Sequence, residues 1–330
     1  MRPVRSLLAA AGTLWAGAAL AGEAQYVLIS FDGAGPQAQW ERSLALGAKT
    51  GARFTYFLTC SNIIAADDAA KYQMPEGRSG KSNMGFAKSR AEARGRLLAI
   101  WAAAAQGHEI GNHTCGHFDG KDWSKQQWLS EFRSFETILG NAFRDNGFGY
   151  EPQGWREFVK AGIKGFRAPY LSTDKALYEA LAARGFRYDA SGVERDISEP
   201  KGNARLAKFS LPQIQEGPSG RRIIAMDYNL FVRHSGGFER ASESAAFEAR
   251  AYQAFRGAFD AQYQGKRKPL QIGMHFTLMN GGAYWRAVER LAADVCGMQD
   301  VRCVTYRQYL DENPLPSDKV AKLEPPRGGS

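Results

Sequence analysis

The chain has 330 residues, of which 44% are hydrophobic and 23% are charged. Together with a mean hydropathy of −0.41, this composition is typical of a water-soluble globular protein and excludes a chain that is disordered throughout. Lysine and arginine outnumber aspartate and glutamate by 43 to 34, so the formal charge is +9. This excess is modest for the length and does not predict a nucleic-acid partner.

The first 21 residues have the pattern of an export signal. Arg2 and Arg5 precede an apolar stretch that ends at the small-x-small cleavage motif Ala19-Leu20-Ala21. The stretch is shorter than the about 20 residues of a bilayer span, so a membrane anchor is the less favoured alternative. We therefore expect residues 1–21 to be a signal peptide and the mature protein to be periplasmic or secreted, without a stable membrane span.

After this segment, short apolar runs alternate with stretches of helical periodicity, which is typical of an α/β layer or barrel fold. Polar caps mark several helix starts, such as Ser89 with Glu92 and Ser124 with Gln127. In chain order, the predicted elements are strands at Tyr26–Phe31 and Phe54–Thr59, a helix from Ser89 to Gln106, a strand at Glu109–Asn112, a helix from Ser124, a strand at Gly165–Ala168, a helix at Thr173–Arg184, strands at Phe186–Tyr188 and Arg222–Met226, a helix at Glu243–Phe259, a strand at Leu270–Met274, a helix from Ala283 and a strand at Val301–Thr305.

No break in composition divides residues 22–312, so we predict one domain there. Residues 61–88 are rich in glycine, serine, asparagine and charge, which predicts a long loop of the kind that is often functional or mobile. The segment 313–330 is rich in proline and glycine and lacks apolar periodicity, which predicts a disordered tail.

The four cysteines of an exported chain favour disulfides. Cys296 and Cys303 are seven residues apart, which favours a local bridge between them. Cys60 ends a predicted strand and Cys115 follows another, so a second bridge would brace the segment around Cys115. Four cysteines allow three full pairings, and four buried reduced cysteines are the alternative.

Two of the five histidines, His113 and His117, are four residues apart just after a predicted strand. This spacing can place two imidazoles on one helical or turn-like face, where their neutral nitrogens can bind a borderline metal such as zinc. A third ligand would come from elsewhere, and Asp32 is a carboxylate at the end of the first strand. Taken alone, the spacing is also typical of surface or turn histidines.

Further segments occur in a fixed order around this histidine pair. From about Tyr26 to Tyr309, the chain resembles the polysaccharide deacetylases, which form family 4 of the carbohydrate esterases. The resemblance is carried most specifically by the histidine segment. The matching segments are Ser30-Phe31-Asp32-Gly33, Gly51-Ala52-Arg53-Phe54-Thr55-Tyr56-Phe57-Leu58, Gly107-His108-Glu109-Ile110-Gly111-Asn112-His113-Thr114-x-x-His117, Phe166-Arg167-Ala168-Pro169-Tyr170 and Ile272-Gly273-Met274-His275.

The resemblance implies an irregular (β/α) barrel of about seven strands, similar to a TIM barrel, with the active site at the carboxyl ends of the strands. It also implies a divalent metal held by His113, His117 and an aspartate of the first motif, here Asp32. Zinc is the first expectation for this metal and cobalt the second.

The same resemblance assigns roles in the reaction. Arg167 would orient the catalytic aspartate, Pro169 and Tyr170 would line the substrate groove, and His275 would protonate the leaving amine. The expected activity is hydrolysis of a carbon–nitrogen bond other than a peptide bond, with an N-acetylated glycan as the substrate partner.

The first motif departs from the family pattern. The family carries two adjacent aspartates, a general base and then a metal ligand, whereas Gly33 follows Asp32 here. One carboxylate cannot easily serve as both, because ligation lowers its pKa and occupies its lone pairs. We favour Asp32 as a ligand, with Asp119, Asp189 or Asp227 as a replacement base. The alternative is that Asp32 is the base and the metal has two protein ligands and waters.

Two other functions stay open for this sequence. One is a catalytically degenerate barrel that binds glycans without cleaving them, and the other is hydrolysis of a different C–N or O-acetyl bond. The segment around His234 could line a sugar groove, as could Trp123 and Trp128, although stapling of a helix also explains the two tryptophans. The oligomeric state is not predicted by the sequence.

Overall fold

The computed structural model describes residues 24–33 and 35–317, and its strands form one curled sheet. The strands are β1 (Gln25–Asp32), β2 (Thr55–Leu58), β3 (Glu109–Asn112), β4 (Gly165–Phe166), β5 (Tyr188–Glu194), β6 (Lys201–Gly202), β7 (Ala207–Glu216), β8 (Arg221–Ile224), β9 (Leu270–His275) and β10 (Val301–Cys303).

Helices lie between most of these strands along the chain. They are α1 (Gln37–Thr50), α2 (Arg90–Ala105), α3 (Lys125–Asp145), α4 (Trp155–Glu157), α5 (Lys175–Ala183), α6 (Asp227–Ser235), α7 (Ser244–Tyr263), α8 (Ala283–Val295) and α9 (Tyr306–Glu312). The predicted caps are confirmed: Ser89 accepts from the backbone N–H of Glu92, and Ser124 and Gln127 form a reciprocal capping box.

Seven strands form a ring in the order β9, β1, β2, β3, β4, β5 and β7, and each neighbouring pair in this series is parallel. The ring closes between β7 and β9 through Ala225. The backbone N–H of Ala225 donates to Pro212 of β7, and its carbonyl accepts from the N–H of Gly273 on β9. The predicted irregular (β/α) barrel of about seven strands is therefore confirmed.

The remaining strands lie outside this ring. β10 pairs with the first residues of β1, while β6 and β8 are antiparallel to β7. Aromatic side chains fill the space between the strands and the surrounding helices, and the largest of those that are fully buried include Trp40, Trp155 and Trp285.

The structure differs from the predicted elements at three places. The strand expected at 186–188 is β5, which starts at Tyr188 and extends to Glu194. The ten-residue β7 is not among the predicted elements, because Pro212 interrupts its alternation of apolar and polar residues. Residues 229–237 lie mostly in α6, a helix that is not among the predicted elements and that ends at Gly236 in the left-handed conformation with φ of 70°.

The segment 61–88 lacks long elements, as expected, and contains short 3-10 helices at Cys60–Ile63 and Ala66–Lys71. The predicted signal peptide, residues 1–21, lies outside the described residues, as does the predicted tail from 318 onward. The first residues of that tail do make contacts, because the N–H of Ala204 donates to the carbonyl of Pro316. In the described part of the chain, no helix is both long and apolar enough to cross a membrane.

Candidate active site

The two predicted histidine ligands meet in a tight turn directly after β3. The backbone N–H of His113 still donates to Leu58 of β2, but Thr114 and His117 adopt φ values of 63° and 54°. Such left-handed conformations are uncommon for residues other than glycine and occur often at functional sites. As a result, the ring centroids of His113 and His117 are only 4.9 Å apart. We call residues 113–117 the histidine loop.

Hydrogen bonding and burial leave both imidazoles neutral, with nitrogen lone pairs that could bind a cation. Nδ1 of His113 lies 2.7 Å from the carbonyl oxygen of Arg167, which can only accept, so Nδ1 carries the proton and Nε2 keeps its lone pair. Burial lowers the pKa of His113, and it lowers the pKa of His117 to about 3, so both rings are neutral at pH 7. Nδ1 of His117 is buried and has no partner among the described residues. These features suit a divalent metal.

The histidine loop is held from its other side by a buried carboxylate and a disulfide. Oε1 of Glu131 accepts from the backbone N–H groups of Cys115 (2.6 Å) and Gly116 (3.1 Å), while Oε2 accepts from Tyr72. Cys115 is bonded to Cys60 at the end of β2, and the second disulfide joins Cys296 to Cys303. The loop is therefore fixed by covalent and hydrogen bonds before any ligand binds.

Asp32 forms a buried ion pair with Arg167 beside this loop. Nη1 of Arg167 lies 2.9 Å from Oδ1 of Asp32, and the arginine side chain is fully buried. The other guanidinium nitrogens donate to the hydroxyl of Tyr306 and the carbonyl of Ala190. Burial favours the protonated carboxyl, but the Arg167 guanidinium outweighs it and holds the pKa of Asp32 below its ordinary value. Asp32 is ionised at neutral pH.

A second charge pair, Asp227 with His275, lies beside the first. Asp32 and His275 are directly opposite each other on the neighbouring strands β1 and β9. Oδ1 of Asp227 lies 2.6 Å from Nδ1 of His275, and Oδ2 accepts from the backbone N–H of His275 at 2.7 Å. Burial favours the neutral imidazole, but Asp227 outweighs it and raises the pKa of His275 to about 9. His275 is thus protonated at neutral pH.

The three carboxylates considered as a replacement base lie in different environments. Asp119 is exposed and accepts from the N–H of Lys121. Asp189 is buried, and its pKa is raised to about 6, mainly by burial. It accepts from the hydroxyl of Ser191, whose oxygen in turn accepts from the N–H of Ala168, so Asp189 supports the segment that follows Arg167. Only Asp227 contacts a residue of the predicted site.

The predicted groove residues have different environments. Pro169 is buried, whereas Tyr170 is 60% exposed and its ring lies 5.3 Å from that of His117. The hydroxyl of Tyr170 accepts from Nδ2 of Asn83, which also donates to the carbonyl of His117. Tyr170 therefore lines the site, and Asn83 connects the segment 61–88 to it.

The suggestion that the segment around His234 lines a sugar groove does not hold for His234 itself. Its side chain is buried, its Nε2 lies 3.0 Å from Oε1 of Glu216, and its ring stacks on Phe247. Glu216 also pairs with Arg250 at 2.6 Å, so this cluster joins β7 to α6 and α7. Trp123 and Trp128 are likewise buried and pack edge to face on each other, which supports the staple over a sugar contact.

The described residues of the site do not by themselves supply three metal ligands of the usual types. Within residues 24–33 and 35–317, no three side chains of His, Cys, Asp or Glu are grouped closely enough to hold a metal ion. Sequence reasoning missed Glu131 and Asn83 altogether, because their contacts with the histidine loop depend on tertiary packing and no motif marks them.

Comparison with known protein families gives a match. A sequence model of the family named Polysaccharide deacetylase matches residues 20–188, the segment that contains Asp32, His113, His117 and Arg167. The chain belongs to the polysaccharide deacetylase family. No curated protein sequence matches the chain.

Solved structures show the deacetylase fold over nearly the whole chain. A protein from Mycobacterium smegmatis, described as a polysaccharide deacetylase, is 16% identical, with a TM-score of 0.55 over 97% of this chain and 100% of its own. A protein from Pseudomonas aeruginosa PAO1 with the same description is 14% identical, with a TM-score of 0.55 over 89% of this chain and 94% of its own. At these identities the similarity establishes the fold.

Proposed function

We propose that this member of the deacetylase family is a metal-dependent hydrolase that removes N-acetyl groups from a glycan. The observation that carries the proposal is the arrangement of two ion pairs, Asp32 with Arg167 and Asp227 with His275, on adjoining strand ends beside two neutral imidazoles. One pair provides an ionised carboxylate and the other a protonated imidazole. General acid–base hydrolysis needs both.

His113 and His117 are the residues that would hold the divalent metal, for which we propose zinc, or alternatively cobalt. When bound, such a metal supplies a Lewis acid for the acetyl carbonyl and the attacking water. The buried and unpartnered Nδ1 of His117 supports a cation here, because a buried polar atom normally has a partner. Asp32 is the carboxylate available to this site, as a ligand or as the base.

Two side chains of the site can carry out the two proton transfers of the reaction. Asp32, kept ionised by Arg167, would accept a proton from the water as its oxygen bonds to the acetyl carbon. His275, kept protonated by Asp227, would donate a proton to the nitrogen as the C–N bond breaks. The products are acetate and the free amine of the sugar.

Two exposed tyrosines support a glycan substrate. Tyr170 is 60% exposed beside His117, and Tyr228 is 54% exposed with its ring 6.3 Å from that of His275. Their rings thus flank the two proposed functional groups, and aromatic rings offer apolar faces with a polar tip on which a sugar can pack. We further propose that the protein acts after export, in the periplasm or outside the cell, as the pattern of residues 1–21 indicates.

The experiment that tests this function is an assay of metal content and acetate release. The purified chain is treated with a chelator, and zinc or cobalt is added back in the presence of N-acetylglucosamine oligomers. We expect about one metal per chain, loss of acetate release on chelation and its recovery with the metal. Sugar binding without release under either metal would contradict the hydrolase and support a glycan-binding protein.

The His275–Asp227 pair predicts the alkaline limit of activity. The pKa of His275 is raised from 6.5 to about 9, so its acidic form persists through neutral pH and disappears as the pH rises through 9. We expect kcat/KM to fall above about pH 9 and, in Asp227→Asn, to fall at a lower pH, because the neutral amide no longer stabilises the imidazolium.

The measurement is the pH profile of kcat/KM for acetate release. Asp189→Asn is a matched control, because Asp189 is also buried but contacts Ser191 instead of His275. For this variant, we expect kcat/KM to fall at the same alkaline pH as in the unaltered protein. If kcat/KM of Asp227→Asn falls at the same pH as that of the unaltered protein, His275 is not the titrating acid.

A further inference from the structure

Asn62 is a buried residue whose side chain the proposed mechanism does not use. It lies in the 3-10 helix Cys60–Ile63 after β2 and is only 5% exposed. Its backbone is fully engaged, since the N–H donates to Thr59 and the carbonyl accepts from Arg96. In contrast, its Nδ2 atom is buried and has no partner among the described residues. A buried amide in this condition calls for an explanation: a nitrogen at this place lacks an acceptor, whereas the amide oxygen, if it lay here, could bind a cation.

The position of Asn62 connects it to the site. The short helix that carries it is attached to the histidine loop, because the N–H of Cys60 donates to the carbonyl of Thr114 at 3.0 Å. On its other side, Nδ2 of Asn62 lies 3.9 Å from the point where a Cβ atom on Gly33 would stand. Position 33 is where the family's second aspartate is expected. The Asn62 amide is therefore a direct neighbour of the point from which an aspartate side chain at position 33 would extend.

The backbone conformation of Gly33 disfavours a metal-binding side chain at position 33. Gly33 has φ of +96°, a conformation that residues with side chains rarely adopt, and its N–H donates to Phe57 of β2 at 2.8 Å. An aspartate at this position would be strained whatever the space around it. Replacement of the carboxylate by a group from the end of β2 avoids that strain.

We propose that the side-chain oxygen of Asn62 is the third protein ligand of the divalent metal held by His113 and His117, in place of the missing aspartate. This inference rests on the metal-dependent function proposed above. Amide oxygens are ligands for divalent cations, and the oxygen and nitrogen of an asparagine exchange places by a half rotation of the amide. Asp32 then keeps its bond to Arg167 and remains free to act as the base.

Metal titration of the chelated chain tests this assignment. Zinc affinity is measured by competition with a chromophoric chelator, and the site is also observed through the visible absorption of bound Co²⁺. We expect Asn62→Ala to weaken zinc binding by more than about tenfold, since even outer-shell changes cost 10–100-fold. Asn62→Asp, nearly identical in shape, is expected to bind zinc more tightly than the unaltered chain, because it adds a charge to a neutral ligand set.

Asn146→Ala is the matched control. Asn146 is as buried as Asn62, at 4% exposure, but its Nδ2 donates to the carbonyls of Ile63 and Ala142. This variant is expected to lose thermal stability and keep its zinc affinity. Unchanged affinity in Asn62→Ala, or in Asn62→Asp, would overturn the ligand role while leaving the metal site of His113 and His117 in place. An unaltered chain that binds no metal would instead refute the proposed function itself.

Discussion

Replacing His113 by alanine is expected to abolish both metal binding and acetate release. The variant loses the Nε2 lone pair that the bond from Nδ1 to the carbonyl of Arg167 directs into the site. It also leaves that buried carbonyl without its donor, so a moderate loss of stability is expected as well. His117→Ala removes the second imidazole and should have the same effect on metal and activity. Metal content per chain and the rate of acetate release are the two measurements.

His234→Ala is the control for this pair of variants. His234 is also a buried histidine, but its partner is the carboxylate of Glu216, and its ring stacks on Phe247. Its removal is expected to reduce stability while metal content stays near that of the unaltered protein. Full acetate release in His113→Ala or His117→Ala would contradict the proposed role of the histidine loop.

Replacing Arg167 by methionine is expected to impair both stability and catalysis. The guanidinium is fully buried against Asp32, and removal of one partner from a buried ion pair typically costs about 3–5 kcal/mol. The remaining carboxylate is then buried without its main counter-charge, so its pKa rises and the ionised base is lost. Denaturant unfolding at pH 7 measures the first effect, and the rate of acetate release measures the second.

A double variant separates these two effects. In Asp32→Asn combined with Arg167→Met neither residue of the pair leaves an unpaired buried charge, so part of the lost stability should return while acetate release stays absent. Arg167→Lys keeps a positive charge and should retain more stability than Arg167→Met, although its ammonium cannot reproduce the planar set of donors. If Arg167→Met unfolds at the same denaturant concentration as the unaltered chain, the ion pair does not stabilise the fold.

The parts of the site that could be predicted from the sequence are those with a local signature. His113 and His117 stand four residues apart after a strand, and Asp32 and His275 each end a strand. Parallel strands in a barrel bring their carboxyl ends together, so the proximity of these residues follows once the strands are recognised. The tight turn of the histidine loop, with its left-handed residues, has no comparable signature.

The partners of these residues could not be predicted, because they depend on packing between distant segments. Asp227 lies 48 residues before His275 and was only one of three candidate carboxylates. It reaches His275 because α6 begins directly after the segment that closes the barrel at Ala225. Asn62 is equally hidden, since it lies in a stretch without periodicity, and only its missing partner and its distance from Gly33 mark it.

The Cys60–Cys115 disulfide has a consequence for how the chain responds to a protease. It closes a loop of 55 residues that contains all of the segment 61–88, helix α2 and strand β3. Much of that segment between 75 and 85 is exposed, which is where proteolytic nicking concentrates. After a single cut there, the two fragments remain covalently joined and the histidine loop stays attached to the end of β2. A nicked protein would therefore migrate as an intact chain on a gel until a reductant is added.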